Sequence, residues 1–144
     1  MGTNEFWNCI DEIAHALPFR KDKLERLLDA RLERESANAY FMMYSMVRRG
    51  KGPHPVRITA IDLRIKTGDP GHPGFLVIEI TGPQVSIRDL KRRYPDGSIT
   101  PAPPGNLADD PEYTFANRES WGQLMFGVSS KTDMIKSISF HPGE

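Results

Sequence analysis

Asp62 and Glu79 are the carboxylates whose placement comes nearest to chemistry. They fall in two consecutive apolar-rich segments, Val56–Lys66 and Phe75–Thr81, that predict neighbouring strands. A nuclease-type site would continue from such a pair with an acidic-x-lysine element. The chain instead reads Glu79-Ile80-Thr81, so that element is absent. Asp62 and Arg64 are two residues apart and share one strand face, where they can pair with each other or with Glu79 across strands. A structural or interface ion pair is the favoured role, since exposed pairs are common and strongly perturbed ones are rare. The alternative is a small enzyme or ligand-binding domain with a polar pocket between helices and sheet near Asp62, Arg64 and Glu79.

Other reactive residue types give less. Cys9 is the only cysteine, which excludes an intrachain disulfide and a multi-cysteine zinc site. It sits near the start of a helix, where the dipole lowers a thiol pKa, but Trp7 and Ile10 beside it point to packing. None of His15, His54, His72 and His141 falls at H-E-x-x-H or H-x-x-x-H spacing, and three of them precede proline. No metal or cofactor site is expected. Ser129-Ser130-Lys131 lacks the S-x-x-K spacing, and no G-x-S-x-G is present. Gly50-Lys51-Gly52 is too short to cradle a phosphate and is followed by proline, which has no N–H to offer.

Two charged clusters remain. Arg88, Lys91, Arg92 and Arg93 precede Tyr94 on a short helix and read as a solvated face. Asp109, Asp110 and Glu112 follow a Pro-rich stretch, with Tyr113, Phe115, Arg118, Trp121 and Phe126 close behind. Arginines and aromatics are enriched at protein-binding hot spots, although a sheet domain needs most such aromatics in its core. The candidate partner-binding residues are therefore Asp62, Arg64, Glu79, Asp109, Asp110, Glu112, Arg118 and Trp121.

The bulk composition narrows the partner. Lys plus Arg and Asp plus Glu both number 19 in 144 residues, so formal charge is zero. A general nucleic-acid binder carries a basic excess to neutralise phosphates, which is missing. No apolar run approaches the ~20 residues that span a bilayer, and no basic-then-apolar leader opens the chain. The expected location is the cytoplasm, or the periplasm if a natural leader precedes these residues. The length fits a single domain over 1–144.

The elements that must position these residues follow from periodicity. Phe6, Ile10, Ile13 and Leu17 predict a helix over Asn4–Leu17 that Thr3 or Asn4 caps and Pro18 ends. Leu24, Leu27, Leu28 and Leu32 predict a second over Asp22–Arg34, with Asp22 and Glu25 as a capping box. The Tyr-Phe-Met-Met-Tyr run marks Ala39–Arg48 as a central strand. After the strands Val56–Lys66 and Phe75–Thr81 comes a helix over Ser86–Arg93, capped by Ser86 and Asp89. Pro95–Pro111 reads as a long irregular loop. Strands over Tyr113–Asn117, Gln123–Ser129 and Ile135–His141 finish the chain, the last two joined by a hairpin turn over Ser129–Asp133. The expected fold is α+β: an antiparallel sheet of about six strands, with helices on one face. Its two halves, 22–81 and 86–141, share the order helix and three strands, as two tandem α-β-β-β units would.

This plan resembles the architecture of the β-lactamase inhibitor protein family. The segments that carry the resemblance are Lys23-Leu24-Glu25-Arg26-Leu27-Leu28 and Ser86-Ile87-Arg88-Asp89-Leu90, each with the strands after it. Trp121-Gly122-Gln123-Leu124-Met125-Phe126-Gly127, followed by Ile135-Lys136-Ser137-Ile138-Ser139-Phe140, also looks like the C-terminal part of small immunity proteins encoded beside bacterial contact-dependent or type VI toxins. The resemblance implies a bacterial inhibitor or immunity protein with no catalytic role, binding a cognate toxin or secreted effector. Immunity proteins against nucleases are often acidic, so the neutral charge here favours a target of another kind. A homo-oligomeric adaptor, built on an exposed sheet face as a homodimer, is the further alternative.

Overall fold

Alternating apolar residues build one sheet, and the helices collect on the side where those residues point. The computed structural model describes residues 3–49, 57–67, 73–81, 85–102 and 109–143. Three helices are present among these residues: α1 (Thr3–His15), α2 (Lys21–Leu28) and α3 (Ile87–Arg93). Four strands follow α2: β1 (Ala30–Ala37), β2 (Phe41–Arg49), β3 (Arg57–Lys66) and β4 (Phe75–Thr81). Four more follow α3: β5 (Ser98–Thr100), β6 (Glu112–Glu119), β7 (Gly122–Ser129) and β8 (Ile135–Pro142). All pair antiparallel in the order β1-β2-β3-β4-β8-β7-β6-β5. The protein is therefore α+β and dominated by sheet.

The expected six strands in tandem α-β-β-β units are corrected to eight. Both added strands are sheet edges. The predicted second helix stops at Leu28, because Asp29 adopts a left-handed conformation at φ 50° and turns the chain into β1. Aspartate tolerates that region better than most residues. Leu32, assigned above to the helix stripe, is instead the buried residue of β1, 1% exposed. The expected capping box at Asp22 and Glu25 is absent; Arg20 caps α2 without a side-chain bond. Glu25 accepts from the backbone N–H of Leu32 at 2.9 Å and pairs with Lys21 at 3.3 Å, so it ties α2 to β1. In the stretch read as an irregular loop, Ser98–Thr100 forms β5 against β6.

Other expectations match. β4 covers Phe75–Thr81 as read from sequence, and β7 and β8 lie within a residue of expectation. Ser86 and Asp89 form the reciprocal capping box, with Ser86 N–H donating to Asp89 Oδ2 at 2.9 Å. α1 ends two residues earlier than expected, at His15. The turns at 50–56, 68–72 and 82–84, with His54 and His72, lie outside the described residues, as does 103–108 of the Pro-rich stretch.

The core lies between helices and sheet. Phe6, Ile10 and Ile13 of α1, Leu24 and Leu28 of α2 and Leu90 of α3 are buried against the inward residues of the strands. Leu63, Leu76, Phe126 and Phe140 are fully enclosed. Trp7 meets Tyr94 and Phe126 edge-on, at 5.8 and 6.5 Å between centroids. Arg93 spans the Trp7 and Tyr94 rings and pairs with Asp11 at 3.2 Å, which fastens α3 to α1. Burial pushes the Tyr94 phenol up to about 12, against the opposing pull of Arg93.

Removing the Ser86 hydroxyl leaves the Asp89 N–H without its acceptor, while the Ser86 N–H keeps Asp89 Oδ2. Ser86→Ala is expected to lower stability by about 1 kcal/mol. Urea unfolding followed by circular dichroism reads this as a lower midpoint at unchanged slope.

Candidate functional site

The described helices leave one face of the sheet uncovered, and register fixes which side chains stand on it. On β3 the buried residues are Ile58, Ile61 and Leu63, so Asp62 and Arg64 point away from the helices. On β4, Leu76, Ile78 and Ile80 are buried, so Phe75, Val77 and Glu79 point the same way. Register extends the face across β2 through Met43↔Arg64 and Ser45↔Asp62. It extends across β8 through Val77↔Ser139 and Glu79↔Ser137, and across β7 through Ser139↔Met125 and Ser137↔Gly127. On β6 it reaches Arg118 opposite Gln123, Ala116 opposite Met125 and Thr114 opposite Gly127. Glu112 follows two residues on, with the same parity as Arg118.

The face is a mosaic. Phe41, Phe75 and His141 form an aromatic line at one end, with 5.9 Å between successive centroids. Ser45, Ser137, Ser139, Gly127 and Ala116 make the middle low. Above Gly127 the space is filled by the Glu112 carboxylate and the Ser137 hydroxyl, which any Cβ there would strike. Asp62 and Arg64 pair at 3.3 Å while each remains about half exposed, at 46% and 50%. In water such a pair is worth little by itself and is available to a partner.

Five of the eight candidate partner residues thus share this face: Asp62, Arg64, Glu79, Glu112 and Arg118. The structure separates the other three from them. Asp109 is exposed before β6. Trp121, in the β6–β7 turn, stacks on Phe140 at 5.9 Å and is half-buried against the core. Asp110 organises the β7–β8 turn. Its carboxylate accepts from Ser129 Oγ at 2.7 Å, from Lys131 N at 3.2 Å and from Lys136 Nζ at 3.3 Å. Ser129 is 2% exposed and satisfied in full, since its hydroxyl also accepts from the N–H groups of Lys131 and Thr132. A carboxylate on a Pro-rich loop gives no sign from sequence that it is a turn clasp. The signal was the Ser-Ser-Lys turn nineteen residues later, which needs an acceptor.

Asp62, Arg64 and Glu79 therefore line no pocket between helices and sheet. Two described clefts lie elsewhere. One of about 460 Å³, between α1 and α2, is bordered by Glu12, His15, Lys23 and Arg26. Lys23 is engaged there with the Ala16 carbonyl at 3.1 Å. The other, of about 440 Å³, runs between α3 and β5 and is bordered by Ile87, Lys91, Ile99 and Tyr113. Tyr113 donates to Asp133 at 2.7 Å, and burial and that carboxylate raise its phenol pKa. Cys9 is partly buried against the core. Among the described residues no cluster of three or more His, Cys, Asp or Glu could hold a metal, and no helix is long and apolar enough to cross a membrane.

No family model matches the chain, and no curated protein or solved structure is significantly similar to it.

The Ser129 hydroxyl, the Lys131 N–H and Lys136 hold the Asp110 carboxyl below its usual range. Its contribution to stability is therefore present above the ordinary carboxylate pKa and is lost as pH falls through the lowered folded value. Asp110→Asn is expected to destabilise the protein at neutral pH, and the gap from the parent to shrink as solutions become strongly acidic. Urea midpoints across that range check it; a gap independent of pH contradicts the clasp.

Proposed function

We propose that this chain is a protein inhibitor of the immunity type, which binds a cognate toxin or effector through the open face of its sheet. The observation that carries the reading is that face: six adjacent strands from β2 to β6, uncovered by any described helix, presenting charges among apolar rings. A specific protein interface has this make-up, with apolar and aromatic anchors framed by polar residues. The contact residues stand on a hydrogen-bonded sheet, which limits the backbone ordering cost at binding. The edges are poor alternatives. β1 carries Arg31, Glu33, Arg34 and Glu35 along a solvent-exposed edge, and β5 is three residues long. Charged or very short edge strands discourage strand addition.

In this reading Phe41 and Phe75 are the apolar anchors, and Arg64 and Arg118 make charge-assisted contacts to the target. Asp109 precedes β6 and Trp121 follows it, so they extend the contact beyond the sheet at opposite ends of that strand. The target is a protein rather than nucleic acid or membrane, and the location is cytoplasmic.

The test is co-expression with the product of the adjacent gene. Co-purification and protection of cells against that product are expected. Phe75→Ala and Arg64→Glu should each weaken binding about tenfold or more, the range of interface hot spots, without changing the unfolding midpoint by much. Absence of both binding and protection sinks the reading.

A further inference from the structure

The Tyr-Phe-Met-Met-Tyr run is not absorbed by the core. Tyr40 is 68% exposed, more than any other large apolar side chain among the described residues. Phe41, Met42, Met43 and Tyr44 alternate between the two faces of β2, and each is only half-buried. From Ser36 to Val47 the chain carries no charge, twelve residues in a protein that is 26% charged.

The turn between β1 and β2 holds Tyr40 in place from two sides. Asn38 Oδ1 accepts from the N–H groups of Tyr40 and Phe41, at 2.7 and 2.8 Å. The Asn38 N–H donates to the Phe41 carbonyl at 2.9 Å. Thr67, which follows β3, donates its N–H to the Tyr40 carbonyl at 2.7 Å and its hydroxyl to the Ala39 carbonyl at 2.8 Å. Both backbone groups of Tyr40 are thus engaged, and the turn has little freedom left to lose on binding. Ala37, Asn38 and Ala39 beside it are small and exposed, so the tip is narrow.

We infer that this tip is a binding anchor, in which Tyr40 enters an uncharged, apolar hollow on a protein partner. The inference rests on the inhibitor reading and deepens it, by naming the kind of surface that the chain seeks on its target. Tyrosine suits the task, because a large ring is fixed at the cost of only two torsions. A hollow lined by charge would lose its water to a tip that offers no counter-charge, which is unfavourable. The matching surface is therefore apolar and concave. Phe41 and Met43 stand on the open face beside Phe75 and Arg64, so the tip continues the proposed contact surface. A bilayer is the other apolar medium that a tip could enter. Anionic lipid is held by a basic excess next to the inserted residues. On β1 the exposed Glu33 and Glu35 offset Arg31 and Arg34, and Arg31 already pairs with Glu33 at 3.4 Å.

Titration calorimetry of the full chain with the adjacent gene product tests the inference, beside co-sedimentation with phosphatidylserine–phosphatidylcholine vesicles. Tyr40→Ala is expected to weaken binding to the protein about thirtyfold or more, the scale of a hot-spot residue. Tyr40→Phe keeps the ring and should bind within about threefold of the parent. Ala39→Asp carries a charge into the hollow and should weaken binding at least as much as Tyr40→Ala. The Tyr40 variants should leave the urea midpoint nearly unchanged, because the side chain is exposed. A Tyr40→Ala chain that binds like the parent overturns the anchor and leaves the open face as the contact. Weaker binding that comes with a lowered midpoint makes Tyr40 a structural residue and also overturns it. Loss in Tyr40→Ala with no loss in Phe75→Ala or Arg64→Glu supports the anchor while sinking the open face. Vesicle binding that Tyr40→Ala removes gives the tip to a lipid surface and overturns the protein hollow. A parent that binds neither sinks the inhibitor reading and the inference with it.

Discussion

The two four-strand meanders meet at one ladder, β4 against β8. Its registered pairs run from Leu76↔Phe140 to Glu79↔Ser137. These partners are distant in sequence, so the loop-closure cost is met only when the pairing is complete. What holds it is alternation. Leu76, Ile78, Ile138 and Phe140 all turn inward and are at most 3% exposed. A slip of one residue would turn these side chains out and bring Val77, Glu79, Ser137 and Ser139 in. Burying Glu79 without a partner is strongly unfavourable, so the register is defended from both sides of the sheet. The same ladder thereby composes the centre of the open face.

Local ties then fix each half to that seam. In the first half Glu25 joins α2 to the N–H of Leu32, so the outermost strand is positioned by a helix side chain as well as by β2. In the second half the Ser86–Asp89 cap sits beside the β7–β8 turn, where Ile87 N–H donates to Asp133 O at 2.8 Å. The Asp110 clasp holds that turn from its other side. Asp110 precedes β6 by two residues, so the clasp also sets where β6 begins and thus where Glu112 stands. Glu112 lies opposite Ser129 in the ladder, so the residue that Asp110 clasps also fixes its place.

Sequence legibility follows burial. β4 was readable because its inward residues alternate strictly with outward ones, and α3 because its cap is written in Ser86 and Asp89. β1 and β5 were not readable. β1 buries only Leu32 fully, and its remaining residues, rich in Arg and Glu, have the composition of an exposed helix. β5 buries none. An edge strand has one neighbour and little to bury, so no period-two signal is imposed on it, and charge placed there to discourage edge pairing mimics helix. The single residue that stops α2, Asp29, gives no more warning than any other aspartate. The open face was legible in part: Asp62, Arg64 and Glu79 could be set on one side by parity, while Asp110 could not be separated from Glu112 without its turn.

Zero net charge acquires a different meaning once register is known. In composition it reads as a lack of electrostatic preference. On the sheet, charges of both signs are interspersed on the open face: Arg64 lies opposite Phe75, Asp62 opposite Val77, Glu79 opposite Ser137 and Arg118 opposite Gln123. The summed field cancels at a distance, and over a Debye length of about 8 Å at physiological salt little steering survives. Close to contact the individual charges are felt separately, and they act on orientation. A surface of this kind gains little in rate of encounter from charge and more in the choice of alignment. That choice depends on Asp62, Arg64 and Glu79 sharing one face, and so on the register that β4 makes with β3 and β8.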